Sequence, residues 1–316
     1  PAGLVSCMTK ATMQGTAELM KHTDTAVILA TGGSAMVKAA YSSGTPAIGV
    51  GPGNGPAFIE RTANIPQAVK HILDSKTFDN GTICASEQSI IVEEVSKAAV
   101  IAELKKQGAH FLSVAEAKQL EKFIMRANGT MNPLIVGKSV QRIADLAGLT
   151  VPQSARVLIA EETNVGPKAP YSREKLAPIL AFYTTATWEA ACALSMEILH
   201  QEGAGHTMII HSEDKNVIRE FALHKPVSRL LVNTPGALGG IGATTNLMPA
   251  LTLGCGAVGG SSTSDNIGPA NLFNIRRVAY GKRELEDLRG EPVSTDATSQ
   301  EQLINTLIEK VLERLH

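Results

Sequence analysis

The chain has 316 residues, enough for two domains with a full core, and its 29 basic and 30 acidic side chains nearly cancel. That balance, with no long run of one sign, argues against a basic face for phosphate backbones, so no nucleic-acid partner is expected. The four cysteines, at 7, 84, 192 and 255, have neither disulfide-framework nor zinc spacing and suit a reducing, intracellular compartment.

The chain opens "PAGLVSCMTK", without a Met or a signal-like apolar core, and the leading Pro predicts that something upstream has been removed. Strand and helix patterns then alternate, which predicts an α/β fold with a largely parallel sheet. "AVILATGG" (26–33) reads as a strand into a Gly-Gly turn, and "SAMVKAAYSSG" (34–44) as a helix closing on Gly44. "PAIGVGPGNGPAFI" (46–59) gives a strand and a Gly/Pro-rich turn, and "NIPQAVKHILDSKTF" (64–78) an amphipathic helix leading to Cys84. A strand over 88–94 and a helix over 96–109 follow. Past Val151 the alternation resumes, with strands over 155–162, 206–212 and 229–233 and helices over 187–203 and 215–225. No charged residue occurs between Leu230 and Ser264, yet Gly, Pro, Asn and Thr break the stretch, so it reads as buried loop and strand and no membrane span is expected.

Residues 288–300 have linker composition. Beyond them, Leu303, Ile304, Leu307, Ile308, Val311, Leu312 and Leu315 form one helical stripe with Glu, Lys and Arg opposite. Residues 301–316 read as a helix docked on its own domain or as a helix-in-groove peptide for a partner. A membrane-surface helix fits least, because the polar face carries both signs.

Cys84 lies in the polar run "FDNGTICASEQ" (78–88), where a flexible turn and backbone amides suit a reactive thiol and an oxyanion. A small buried hydrophobe fits the same residues, and both readings stay open here. Cys7 and Cys192 read as inert, the latter within the apolar helix "EAACALSM". "ILATGGS" (28–34) ends a strand in two glycines at a helix start, a geometry in which bare backbone meets a phosphate or dinucleotide. "GCGAVG" (254–259) matches GxGxxG, but no helix follows and no βαβ unit surrounds it, so it reads as a decoy. His206 and His211, at odd spacing on one strand, face opposite sides and read as structural rather than as a metal pair, and no metal is expected.

Taken together, "ILATGGSAMVKAAYSSGTPAIGVGPGNGPAFI", "SKTFDNGTICASEQSIIVEE", "SREKLAPILAFY" and "RLLVNTPGALGGIGATTNLMPALTLGCGAVGGSSTSDNIGPANLFNIRRVAYG" resemble the CoA-acylating aldehyde dehydrogenases. That group includes acetaldehyde and propionaldehyde enzymes, some of bacterial microcompartments, and the aldehyde half of bifunctional alcohol/aldehyde dehydrogenases. The resemblance implies an aldehyde dehydrogenase-like α/β fold: a parallel-sheet catalytic domain plus a truncated Rossmann-like cofactor domain. It implies that Cys84 attacks the aldehyde carbonyl, that hydride passes to NAD, and that coenzyme A takes the acyl group from the cysteine thioester. Thr31, Gly32 and Gly33 correspond to the turn against the dinucleotide and Gly51 to the nicotinamide end. Glu174 in "EKLAP" matches the ribose-binding glutamate of "ExFGP", and Leu253 is implied to line the same pocket. NAD rather than NADP is the family expectation.

Hydrolysing members of the superfamily carry a glutamate in "ELGGK" that activates water, whereas the aligned "GVGPGNGP" (49–56) has Val50 or Gly49 there. Loss of that base favours thiol over water as acyl acceptor. Family members are longer, so the resemblance also implies that the first strands of the cofactor domain are absent. It assigns residues 1–80 to the cofactor domain, 81–272 to the catalytic domain, 273–287 to a return or oligomerisation segment containing "NIRRVAYG", 288–300 to a linker and 301–316 to a terminal helix. A homo-oligomer, self-association through the exposed sheet edge, and a microcompartment shell partner for 301–316 follow as expectations. So does a cytoplasmic, microcompartment location. The rival expectations are a hydrolysing dehydrogenase releasing free acid and a catalytically inactive cargo module.

Overall fold

The computed structural model describes residues 3–289 and 297–313, in two units that divide after Leu272. In the first unit, α1 (Met13–Lys21) starts at Thr12, whose hydroxyl accepts the Gly15 amide. The strands β1 (Ile28–Thr31) and β2 (Ala47–Val50) flank α2 (Ser34–Tyr41) and pair in parallel as a sheet of two. The next strand, β3 (Gly55–Ile59), leaves that pair. It joins α3 (Ile65–Thr77), β4 (Glu87–Glu93), α4 (Glu94–Lys106), β5 (Ala109–Phe111), α5 (Val114–Ile124), α6 (Val140–Ala147), β6 (Val157–Glu161) and β7 (Ile179–Thr185). The unit continues with α7 (Trp188–Gln201), β8 (Gly205–His211), α8 (Lys215–His224), β9 (Val227–Val232) and the single turn α9 (Gly236–Gly240).

Seven of these strands form one parallel sheet in the order β5-β6-β7-β4-β3-β8-β9. Helices cover both faces, so the central strands are apolar on both sides instead of alternating with polar residues. The period of two survives in which face each side chain serves. Phe58, Ile91, Leu158, Tyr183, Met208 and Ile210 pack with α5, α6, α7 and α8, and Phe58 stacks on Phe221 at 5.2 Å between centroids. Ile59, Ile90, Val92, Ile159, Phe182 and Ile209 pack with α3 and α4. Helix starts are set by local chemistry: Ser113 and Glu116 close a capping box on α5, and Asp214 accepts two amides at the start of α8.

The chain passes from the sheet of two to the sheet of seven at residues 51–54, because β3 pairs with β4 and β8 and carries α3 with it. Several expectations change. Residues 230–264 are not all buried loop and strand. They include α9, and Met248, Leu251 and Val258 are exposed. The helices α5 and α6 and the strands β5 and β7 lie where the sequence pattern gave no element.

The second unit begins at Phe273. Residues 274–282, containing "NIRRVAYG", carry no regular secondary structure. A short helix, α10, covers Leu285–Leu288. The terminal helix, α11, spans Ala297–Leu312 and so begins inside the segment read as linker. Ile304, Leu307, Ile308 and Leu312 are exposed on it, whereas Leu315 and the side chains of Leu303 and Val311 lie outside the described residues.

Candidate active site

Cys84 is delivered to the amino end of β4 by a tight turn. Asp79, Asn80 and Gly81 all take positive φ, at 47°, 48° and 76°, which Asp, Asn and Gly tolerate best. The Thr82 hydroxyl donates to Asp79, and the Asn80 amide donates to the Gly137 carbonyl, so the turn is tied at both ends. On the far side runs the chain entering β3. A Cβ on Gly53 would lie 2.1 Å from the Cys84 carbonyl oxygen, so only glycine lets the two backbones pass.

A cavity of about 280 Å³ opens here. Its lining brings together Cys84, Thr31, Gly32, Gly33, Gly51 and Glu174, with Met131, Leu176 and Leu251 among the rest. Six of the seven residues singled out from sequence therefore share one space, contributed by the carboxyl ends of β1 and β2 and the amino ends of β3, β4 and β7. Leu253 is not among them. It is fully buried and bridged to Asn266, and Leu251 meets the cavity instead.

Cys84 is half-buried. Burial pushes the thiol up to about 12, Glu174 and Cys255 add to that, and Arg229 opposes it. Glu174 accepts the Gly53 amide at 2.7 Å, yet burial lifts its carboxyl to about 8. At neutral pH both groups are mostly protonated.

Behind this wall lie charges that sequence reasoning missed. Lys76, on α3, is fully buried, donates to the Gln88 side-chain carbonyl at 3.1 Å, and is lowered by burial to about 7. Glu87 accepts the Gly236 amide at 2.8 Å and is raised by burial to about 7. Lys175 donates to the Tyr171 and Arg173 carbonyls, and burial takes it well below the ordinary lysine range. One signal was available for Lys76. Val69, Ile72, Leu73 and Lys76 fall at i, i+3, i+4 and i+7, which puts the lysine on the buried face of α3.

Arg229 on β9 is 4% exposed and donates to the Gly254 and Ser264 carbonyls, Asn266 and Thr207. No carboxylate among the described residues reaches it as an ion pair, and its charge bears on Cys84, Cys255 and His206. It also pins the "GCGAVG" turn, where a Cβ on Gly259 would meet the Cys255 Cβ at 2.4 Å. Those glycines serve packing. His206 and His211 are both buried on β8, and His211 faces His71 across 5.8 Å.

The bare backbone suits a flat ligand on the other wall. A Cβ built at Gly33 or Gly51 would meet nothing within 4 Å, and α2 starts at Gly33 without a side-chain cap. Its first amides take no side-chain cap from the protein.

Residues 1–237 match the Aldehyde dehydrogenase family profile. A solved probable aldehyde dehydrogenase from Listeria monocytogenes EGD-e is 82% identical with a TM-score of 0.88, covering 92% of this chain and 64% of that one. An acetylating aldehyde dehydrogenase from Geobacillus thermoglucosidasius is 54% identical with a TM-score of 0.87, covering 90% of this chain and 63% of that one. Among curated proteins, aldehyde-alcohol dehydrogenase 2 of Entamoeba histolytica is 43% identical over 87% of this chain. The chain spans 33% of that relative's length.

Proposed function

The chain belongs to the aldehyde dehydrogenase family, and from that premise we propose that it serves the CoA-acylating branch: NAD-dependent oxidation of a short-chain aldehyde, with the acyl group held on Cys84 and passed to coenzyme A. The observation that carries the reading is the shared cavity, in which one thiol faces bare glycine backbone.

Gly32, Gly33 and Gly51 would hold the dinucleotide, with Thr31 beside them and Glu174 toward its ribose. When bound, that cofactor supplies the hydride acceptor. Cys84 supplies the nucleophile, and its attack on the carbonyl requires loss of the thiol proton. Arg229 is the nearby group whose charge favours the thiolate, while Glu174 disfavours it. A thioester on Cys84 then needs a second nucleophile. Glu174 is the one carboxylate among the described lining residues, and at neutral pH it is mostly protonated and a poor base for water. The thiol of coenzyme A loses its proton to solvent far more readily than water does, and its thiolate is the stronger nucleophile, which favours acyl transfer over hydrolysis.

We also read the exposed apolar side of α11 as a docking helix for a microcompartment shell protein, and a homo-oligomer as the working form. The test of the main reading is product analysis with acetaldehyde or propionaldehyde, NAD, and CoA present or withheld. Acyl-CoA formation that depends on CoA and disappears in Cys84→Ala supports it. Free acid formed equally well without CoA would overturn it in favour of hydrolysis.

A further inference from the structure

Cys192 lies on α7, and Lys225 caps the C-terminus of α8. The Lys225 ammonium is 2.5 Å from the Cys192 sulfur and sits over the Phe221 ring at 4.4 Å. Lys225 is 7% exposed, and no carboxylate among the described residues pairs with it. A nitrogen and an oxygen sharing a hydrogen sit about 2.7–3.2 Å apart, and sulfur is larger than oxygen. The two atoms are therefore closer than a hydrogen bond would hold them. A lysine taken this far out of water also pays a desolvation cost that a neutral thiol repays poorly. The cation–π contact with Phe221 accounts for the burial of the ammonium but not for the closeness of its nitrogen to the sulfur. Cys192 itself is only partly buried, so a small oxidant reaches it.

We propose that Cys192 and Lys225 are the site of an oxidative cross-link, sulfur to nitrogen through one oxygen, that staples α7 to the end of α8. A hydroperoxide is the oxidant. In the first step the Cys192 sulfur attacks one peroxide oxygen, the O–O bond breaks, and sulfenic acid and water form. In the second, the Lys225 ammonium first loses a proton to water; the resulting amine and the sulfenic hydroxyl then each give up one hydrogen to a second hydrogen peroxide, which leaves as two waters as the N–O bond forms. The product is Lys–NH–O–S–Cys. A thiol reductant cleaves it and regenerates both side chains. Neither residue touches the Cys84 cavity, so the link is separable from the chemistry proposed there.

The experiment is intact-mass analysis and peptide mapping of the full chain after titration with hydrogen peroxide, before and after dithiothreitol, alongside Cys192→Ser and Lys225→Arg. The expected product joins an α7 peptide to an α8 peptide, gains one oxygen and loses two hydrogens. It reverts with dithiothreitol and is absent from both variants. Stapled chain should melt at higher temperature than reduced chain, while Cys192→Ser shows no such rise. Three results overturn the proposal: a gain of oxygen with no loss of hydrogen, which is sulfenic acid alone; a loss of two hydrogens without oxygen; or a link that persists in Lys225→Arg. Two variants guard against misfolding of either one.

Discussion

The state of the Cys84 thiol has a measurable consequence in its reaction with iodoacetamide. Burial, Glu174 and Cys255 raise the thiol from an ordinary 9.0 to about 12 against the opposing charge of Arg229. At pH 8 a thiol at 9 is roughly one-tenth thiolate and one at 12 roughly one in ten thousand, a factor of about 1000. A more basic thiolate is intrinsically more nucleophilic, and a Brønsted slope near ~0.45 returns a factor of about 20. The net expectation is labelling about 50-fold slower than an ordinary thiol. Exposed Cys7 in the same chain is the internal reference. The assay is mass-resolved peptide labelling over time between pH 6.5 and 9.5. The Cys84 rate should climb about tenfold per pH unit across the whole range without a plateau. A Cys84 rate equal to that of Cys7 at pH 8, or a plateau below pH 9, would refute the reasoning and mean that the thiolate is already stabilised.

Four other outcomes follow. Because the Glu174 carboxyl is raised from 4.5 to about 8, its contribution to stability is full below pH 4.5 and is lost as pH rises toward 8. Glu174→Gln should therefore remove a slope of about 1.4 kcal/mol per pH unit from urea-unfolding stability across that window; an unchanged slope sinks the assignment. Arg229→Gln should slow Cys84 labelling several-fold, Arg229→Lys should restore part of the rate, and equal labelling in both variants would show that the charge is irrelevant. Gly33→Ala should leave the unfolding midpoint unchanged yet weaken NAD binding measured by calorimetry. Gly259→Ala, whose new Cβ would meet Cys255, should lower stability by about 1–3 kcal/mol.

Most strands and helices were legible because their side chains carry an unambiguous period or a clear cap. The misses have physical causes. The strand β3 begins in a Gly/Pro-rich turn, where hydrophobic pattern cannot say which sheet the next strand joins, and that choice rests on pairing with β4 and β8. The strand β7 runs directly on from "EKLAP", so a motif hid an element. Leu251 and Leu253 look equivalent in sequence, and only the Leu253–Asn266 bridge decides which one turns inward. Ligands of open parallel sheets usually sit beyond the carboxyl ends of the strands. Here Cys84, Gly53 and Glu174 precede β4, β3 and β7, so a topological rule applied to the large sheet alone would point to the wrong rim.

The glycines show why motif spacing and site chemistry came apart. "GCGAVG" has the formal phosphate-binding spacing, yet a Cβ on Gly254 would lie 2.3 Å from the Thr263 carbonyl oxygen, and one on Gly259 would meet Cys255. Those positions are glycine because protein is already there. "TGG" lacks the spacing, yet Gly33 has open space in front of its backbone and uncapped helix amides behind it. A glycine leaves room for a ligand only where no neighbouring atom fills the place of its missing side chain. By that criterion the cavity has two open glycines, Gly33 and Gly51, on the side facing Cys84, while the close approach of Gly53 sets the height of the thiol turn. The distinction is steric, and a pattern of letters does not carry it.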